Sequence, residues 1–421
     1  MPRLRARTIP NRKETDLRKA WWMLALLALA ELLGMSLWFT ASATAAQLTA
    51  RWGLGAGGAA SLVAAVQIGF VAGTAIAALL NLADVVVARR YFAASALLAA
   101  AANASLLLAT GVISASVSRF LTGFFLAGVY PPAMKMAASW FRRSRGLAIG
   151  IVVGALTIGK ALPYLIGAVG TPAVRLVALA TSAGAVFAAV LVFAVWEDGP
   201  HAFERRPFSW LLTGTIARHR HTRLAIAGYL GHMWELYAMW ALVAAFFFDF
   251  FLARELTAGG AATRAGFVGF CVIAMGGIGS VVAGAWADRL GRERVTIAAM
   301  AVSGACSLVI GWLAAAPLAV VVLLALVWGF AIVADSAQFS AIVTEVAPPH
   351  AVGTALTLQT SLGFALTAAS IWLTAEIAGR VGWGPAFSML AIGPLLGIVA
   401  MARLKNTRLK TASDHLSRNA T

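Results

Sequence analysis

The sequence predicts an all-α membrane protein whose twelve transmembrane helices form two pseudo-symmetric halves of six. Three observations carry this prediction. The composition is strongly apolar, long apolar runs recur along the chain, and basic residues collect on one side of those runs. Of the 421 residues, 61% are hydrophobic and 12% are charged, and the mean hydropathy is +0.85. Such a composition excludes a soluble globular domain.

The apolar runs are about 20 residues long, the length that a helix needs to cross a bilayer. Twelve runs qualify: 21–45, 59–82, 91–112, 115–140, 146–169, 174–196, 223–250, 265–287, 295–314, 318–343, 352–377 and 385–402. The longest interruption separates them six and six and contains Pro, Gly and charges of both signs. The chain therefore divides into a basic tail (1–20), a first half (21–196), a middle loop (197–222), a second half (223–403) and a second basic tail (404–421).

The net charge is +17, and the distribution of the basic residues agrees with the predicted topology. If the N-terminus is cytoplasmic, 25 Lys and Arg residues fall on cytoplasmic segments and five on outside loops, with three inside spans. This bias predicts a bacterial-type inner-membrane protein with both termini cytoplasmic. The same distribution argues against nucleic-acid binding. A cleavable signal peptide is not expected, because the basic residues 1–19 lead into a span that is too long for one.

A short charged turn, Gly284-Ala-Trp-Ala-Asp288-Arg289-Leu-Gly291-Arg292, lies between the eighth and ninth spans. It resembles the signature loop of the major facilitator superfamily, which joins two helices within a six-helix half. The resemblance implies a cytoplasmic gate. Asp288 would accept hydrogen bonds at a neighbouring helix N-terminus, Arg289 and Arg292 would bridge to acids of the other half, and Gly291 would allow a tight reversal. The alternative is that the basic residues only anchor this loop inside.

The loop after the second span keeps part of the same pattern, and Asp84 joins the predicted gate with Gly284. Leu80 and Val87 stand where the glycines would be, so this first-half loop departs from the family pattern.

Two further patterns concern helix geometry. Gly146, Gly150 and Gly154 follow one another at four-residue spacing in the fifth span, which predicts a close approach of a second helix. Pro131-Pro132 removes two backbone donors and predicts a kink in the fourth span.

Ionisable residues inside the spans are the candidate proton- and solute-binding groups, because each such charge costs about 2.5–3.5 kcal/mol on insertion scales. They are Glu31, Arg119, Lys135, Lys160, His232, Glu235 and Asp335. The superfamily resemblance implies that spans 1, 4, 7 and 10 line a central cavity, and all candidates except Lys160 lie on these spans. A fixed interhelical contact is the alternative for each, and Arg119 has the alternative role of supporting the fold of the fourth span.

Helical spacing sharpens two of these expectations. His232 and Glu235 lie one turn apart, so we expect them to contact each other. Glu31 shares one stripe of the first span with Met35 and Trp38. Aromatic residues expected to line the cavity are Trp38, Tyr130, Tyr164, Tyr237 and Trp240, with general helix packing as the alternative.

The resemblance implies a secondary active transporter that works by alternating access around a midplane site. The titratable residues Glu31, His232 and Glu235 favour proton coupling, and the cations of the candidate set favour a small organic or inorganic anion as solute. The general resemblance points towards the nitrate/nitrite and cyanate porters, although spans 2 and 8 lack the arginine that nitrate porters carry there. The alternatives are a proton-antiport exporter of drugs or metabolites and a membrane sensor derived from a transporter.

An enzyme is not expected, because the chain lacks His-Glu-x-x-His, Gly-x-Ser-x-Gly and Gly-x-Gly-Asp elements. Neither a cofactor nor a metal is expected, since Cys271 and Cys306 lie in different spans without metal-ligand spacing. The expected partners are a small solute, protons and the lipid bilayer, and this fold usually suffices as a monomer.

Overall fold

The computed structural model describes residues 12–141, 145–169, 173–201, 209–254 and 257–419. Within these ranges the regular structure is helical throughout, which confirms the predicted fold class. The α-helices of the described residues are α1 (Arg12–Met35), α2 (Thr40–Ala43), α3 (Ala45–Trp52), α4 (Ala56–Leu79), α5 (Leu82–Val85), α6 (Ala88–Ala104), α7 (Val112–Leu126), α8 (Tyr130–Trp140), α9 (Arg145–Ala168), α10 (Val174–Val195), α11 (Thr213–Arg218), α12 (Arg220–Leu252), α13 (Ala258–Leu290), α14 (Arg292–Ile310), α15 (Leu318–Ala334), α16 (Ser336–Val346), α17 (Val352–Val381), α18 (Trp383–Leu390) and α19 (Ile392–Asn419).

Among the described residues, eleven helical stretches are long and apolar enough to cross a membrane, and they coincide with the second to twelfth predicted spans. Their boundaries differ from the predicted ones by a few residues in most cases. The largest difference is at the end of the chain, where α19 continues through the predicted tail to Asn419.

The first predicted span, 21–45, does not form a single helix. α1 ends at Met35, and residues 36–39 form turns before α2 and α3 continue. Ser36 Oγ donates to the Leu33 carbonyl at 2.6 Å, and Thr40 Oγ1 donates to the Leu37 carbonyl at 3.1 Å. Hydroxyl groups here take over carbonyls that a continuous helix would bind through its backbone. Hydropathy does not show where a hydroxyl replaces a backbone N–H as the hydrogen-bond donor, so the prediction of a single helix over 21–45 is wrong.

The fourth and tenth spans are also interrupted. α7 ends at Leu126 and α8 begins at Tyr130, so Pro131 and Pro132 occupy the first turn of α8, where a missing N–H costs no helical bond. The predicted kink in the fourth span is confirmed. In the tenth span, Asp335 lies at the break between α15 and α16.

Two helix pairs form most of the seam between the halves: α9 packs on α13, and α4 packs on α17. Glycines allow the first pair to approach closely. A Cβ atom built on Gly154 would lie 2.9 Å from the Gly277 carbonyl oxygen, and one on Gly150 would lie 3.3 Å from that of Ser280. The glycine spacing of the fifth span therefore serves the close helix approach that it predicts.

The helix order fixes two membrane faces. We call the face at which α1 begins and α19 ends the terminal face. α9 begins at this face and α4 ends at it, whereas α4 begins and α17 ends at the opposite face.

Candidate solute-binding site

A buried lysine lies at the centre of the seam. Lys160 of α9 is 2% exposed, and its ammonium nitrogen lies 4.1 Å from the ring centroid of Trp38, 4.7 Å from that of Tyr237 and 5.3 Å from that of Trp240. Its Nζ also donates to the Tyr237 hydroxyl. Cation–π attraction is strongest where water is excluded, so these rings hold the charge in place of water. Trp38 belongs to the first half and the other two rings to the second, so the ring cage bridges the halves.

Glu31 supplies the opposite charge. Its side chain is fully buried in α1, and the Lys160 ammonium is the cation that acts on it electrostatically. Among the described side chains, neither carboxylate oxygen of Glu31 has a hydrogen-bond partner, and the same holds for the indole nitrogens of Trp38 and Trp240. Polar groups that are buried without partners are costly. Four such atoms of the described residues therefore lie around Lys160.

More aromatic side chains surround the ring cage. Phe70 of α4 and Phe364 of α17 pack in a tilted arrangement with their ring centroids 4.4 Å apart, and each also packs against Trp38. Tyr164 lies one turn beyond Lys160 on α9, and its hydroxyl donates to the Trp240 carbonyl at 2.8 Å. Tyr130 is half-buried at the start of α8, within electrostatic range of Glu31. All five predicted cavity aromatics therefore lie in or beside this cluster, while Phe70 and Phe364 carried no signal in the sequence that distinguishes them from other core residues.

A cavity of about 320 Å³ lies between the halves on the side of Tyr164 that faces away from the terminal face. We call it the vestibule. Its wall includes Ser42, Ala60, Tyr164, Ala241, Ala245 and Asp249. This volume is at the lower end of the range for pockets that take drug-sized organic molecules.

Arg119 does not face this cavity. Its guanidinium donates to the carbonyls of Leu37 and Trp38 at 2.8 Å each and to Asn103 Oδ1 at 2.5 Å. Those carbonyls lie in the break of the first span, where they have no helical N–H partner. These contacts favour the supporting role of Arg119 over solute binding. The guanidinium donates to backbone carbonyls that the break in the helix leaves free. Asn103, which no pattern in the sequence distinguishes, completes this network.

In the second half, Glu235 of α12 is 1% exposed and is bound by two donors. Ser303 Oγ donates to Oε2 at 2.8 Å, and Trp328 Nε1 donates to Oε1 at 2.7 Å. Both donors belong to neighbouring helices, α14 and α15. Glu235 therefore ties these helices to α12.

His232 pairs with Asp335 rather than with Glu235, contrary to the contact expected from their spacing. His232 Nδ1 lies 2.8 Å from Asp335 Oδ1, and both side chains are 2% exposed. His232 Nε2 lies 3.1 Å from Ser336 Oγ. The expected contact is replaced because positions i and i+3 diverge by about 60° around a helix, and each side chain meets a different neighbouring helix first. The pair instead holds the break of the tenth span against α12.

Lys135 lies outside the central layer, by which we mean the membrane depth of Lys160 and its ring cage. It is five residues from the end of α8, whereas Lys160 is 15 residues from the start of α9. At 1.5 Å per residue these positions are about 8 Å and about 22 Å from the same face. Lys135 is half-buried near the terminal face, so it does not share a site with Lys160 and Glu31.

The signature turn lies on the terminal face and contacts the first half through Asp288. A Cβ atom built on Gly146, the second residue of α9, would lie 3.1 Å from Asp288 Oδ2, and one built on Gly284 would lie 3.4 Å from the Gly146 carbonyl oxygen. The carboxylate therefore rests on the N-terminal turn of α9, where the helix dipole favours a negative charge. Gly291 has φ +91°, as the predicted reversal requires.

Arg292 does not reach the first half as expected. Its guanidinium donates to Glu345 at 2.8 Å and to Gln338 at 2.7 Å, both on α16. As the first residue of α14, it points along the adjacent end of α16 and ties these two second-half helices together. Arg289 is exposed. The predicted gate residue Asp84 belongs to α5, but its side chain lies outside the part of the chain that the structure describes.

Comparison with known proteins agrees with this architecture. The sequence model of the sugar (and other) transporter family matches residues 228–412. The sequence matches no curated protein. Among solved structures, a bacterial homologue of the human lysosomal transporter Spinster, in an inward-facing and occupied conformation, is similar at a TM-score of 0.68 with 13% identity, over 91% of this chain and 95% of that chain. The human organic anion transporter MFSD10 (TETRAN) is similar at a TM-score of 0.62 with 14% identity, over 91% of this chain and 99% of that chain.

These matches include transporters and give no support to a nitrate, nitrite or cyanate porter as the finer resemblance. The chain therefore has the fold of these solved transporters, and the transporter family model matches the sequence of its second half.

Proposed function

We propose that this protein moves an organic anion across the membrane by proton-coupled alternating access. The observation that carries the proposal is the buried Lys160 ammonium, which lies at the seam inside a cage of rings from both halves. An ammonium is strongly hydrated in water, and its retention at this depth calls for a compensating role. Pairing with the anionic group of a solute supplies one.

The surroundings of Lys160 favour an organic rather than an inorganic anion. The rings of Trp38, Tyr237 and Trp240 offer apolar faces to a carbon skeleton. The indole N–H groups of Trp38 and Trp240, which have no partner among the residues that the structure describes, offer donors to its polar atoms. The vestibule next to them is lined largely by alanine. Similarity in fold to a human organic anion transporter is consistent with this solute class.

Glu31 provides the coupling. Lys160 and Glu31 together carry no net charge. When an anion engages Lys160, Glu31 loses its counterion, and an unpaired carboxylate in a buried site is costly. Uptake of one proton by Glu31 relieves this cost. Anion and proton would then cross together, with both termini on the cytoplasmic side as the charge bias predicts.

A second candidate function rests on the same cage. Three rings around an ammonium form a site that accepts organic cations, so a solute cation that displaces the Lys160 side chain would make the protein an exporter in exchange for protons.

Lys160→Gln separates the two functions. Under the anion proposal, uptake of organic carboxylates into proteoliposomes falls about tenfold or more, because a charge-assisted contact is lost. Under the cation alternative, uptake or binding of organic ammonium ions rises, because the cage is vacated. Lys135→Gln is the matched control, since it removes an intramembrane lysine outside the central layer.

Glu31→Gln tests the coupling in the same vesicles. We expect anion transport that no longer moves protons and no longer responds to a pH gradient. Wild-type proton movement in this variant would contradict the role of Glu31, and unchanged carboxylate uptake in Lys160→Gln would rule out the anion site.

A further inference from the structure

The seam between the halves carries a second carboxylate contact, on the face opposite the terminal face. Glu376 lies near the end of α17, in the second half, and Gly57 is the second residue of α4, in the first half. A Cβ atom built on Gly57 would lie 2.0 Å from Glu376 Oε1 and 3.4 Å from the indole nitrogen of Trp372. The Glu376 carboxylate therefore occupies the space that any side chain at position 57 would need.

The chemistry of this contact matches its geometry. The N-terminal turn of a helix presents unpaired N–H groups and a partial positive charge, which favours a carboxylate. Glu376 is also fixed from its own helix, because Arg380 Nη2 lies 3.1 Å from Glu376 Oε2. Its side chain is 25% exposed, whereas Arg380 is 78% exposed. The carboxylate is thus directed into the seam while its counterion faces outward.

The arrangement mirrors the Asp288 contact on the terminal face. In both, an acid of the second half rests on the N-terminal turn of a first-half helix, and the second residue of that helix is glycine. One contact lies at the end of the α9–α13 pair and the other at the opposite end of the α4–α17 pair. Each is placed where separation of the halves at that face would break it.

We propose that Glu376, Gly57 and Trp372 form a clasp that holds the halves together at the face opposite the terminal face, and that this clasp opens whenever that face opens. The inference goes beyond the proposed solute and coupling, because it concerns closure of the molecule whatever it carries. Since both acid contacts are made in this structure, the halves are joined at both faces.

Gly57→Ala tests the clasp with little disturbance elsewhere. The added methyl group and Glu376 Oε1 cannot occupy the same space, so the flexible carboxylate must leave. Gly58→Ala is the matched control, because a Cβ atom there would contact only the side chain of Leu54, at 3.3 Å. Glu376→Gln removes the charge without adding volume.

The readout is the reaction rate of a maleimide with a cysteine at Ala241, which lines the vestibule and is buried, in purified protein lacking Cys271 and Cys306. Loss of one carboxylate contact at a helix N-terminus should raise the rate about two- to fivefold in Gly57→Ala and Glu376→Gln, and leave it unchanged in Gly58→Ala. Equal rates in Gly57→Ala and Gly58→Ala would overturn the proposal.

A second reporter distinguishes opening from loosening of the fold. Cys306 is 4% exposed in the second half, and its own reactivity, measured without the Ala241 cysteine, should not change in either variant. If Cys306 becomes reactive in parallel, the contact only stabilises the fold and the clasp is refuted. Glu376→Asp, which keeps the charge on a shorter side chain, should give an intermediate rate at Ala241→Cys.

Discussion

Individual buried carboxylates in this protein differ in how many hydrogen bonds they accept, and this difference supports the separate roles proposed for Glu235 and Glu31. Glu235 accepts from Ser303 and Trp328, whereas both oxygens of Glu31 lack such donors among the described residues. A carboxylate with its hydrogen bonds complete is held in place. A carboxylate without such donors can bind a proton without first breaking other hydrogen bonds, as the proposed proton coupling requires.

Trp328→Phe tests the structural reading of Glu235. Removing the indole N–H leaves Glu235 Oε1 without its donor, and a hydrogen bond to a charged group contributes about 1.5–3 kcal/mol. We expect a lower apparent Tm in detergent. Trp312→Phe is the control. The Trp312 indole also donates a hydrogen bond, to Ser388, but Trp312 is 63% exposed. Equal losses of stability in the two variants would contradict a special role for the contact with Glu235.

At the scale of elements, the break in the first span depends on a residue far away in sequence. Arg119 of α7 binds the carbonyls of Leu37 and Trp38. It thereby fixes the turn that places Trp38 over Lys160. We propose Arg119 as a positioning residue for the ring cage, which it contacts through the backbone carbonyl of Trp38.

Arg119→Lys should loosen this break even though it keeps the charge. One ammonium cannot reproduce the forked geometry with which Arg119 bridges the two carbonyls and Asn103. We expect faster amide hydrogen exchange in residues 36–39, a lower apparent Tm and weaker anion transport. Hydrogen exchange in α16, which belongs to the second half, serves as the internal reference. Unchanged exchange in residues 36–39 would show that the turn is stable without Arg119.

These elements show what the sequence could and could not predict. The apolar runs place eleven of the twelve spans, because hydropathy and length decide membrane crossing. The glycine spacing of α9 and the proline pair of α8 are local signals and are confirmed. The break at residues 36–39 and the pairing of His232 with Asp335 are tertiary. They depend on partners 82 and 103 positions away in the chain, so spacing along one helix cannot reveal them.

At the scale of the whole molecule, the distribution of the basic residues predicts the orientation in the membrane. Asn406 of α19 lies at the terminal face, and Gly259 lies at the opposite face in open space. In intact cells we expect a membrane-impermeant maleimide to label Gly259→Cys and not Asn406→Cys, in protein without the native cysteines. Permeabilised cells, in which both sites should react, give the control. The reverse pattern would place the termini outside and invert the proposed direction of coupling.

The opposite charges of Lys160 and Glu31 have an electrical consequence for the transport cycle. A unit charge that crosses 100 mV gains or loses about 2.3 kcal/mol. Both side chains belong to the first half and would move with it. Because their charges cancel, this pair would move no net charge across the membrane when the carrier is empty. Its return step is therefore insensitive to membrane voltage at this site. A monovalent anion and a proton that cross together also add no net charge. As far as this site is concerned, the loaded step and the empty return step would each keep the same rate when the membrane is depolarised.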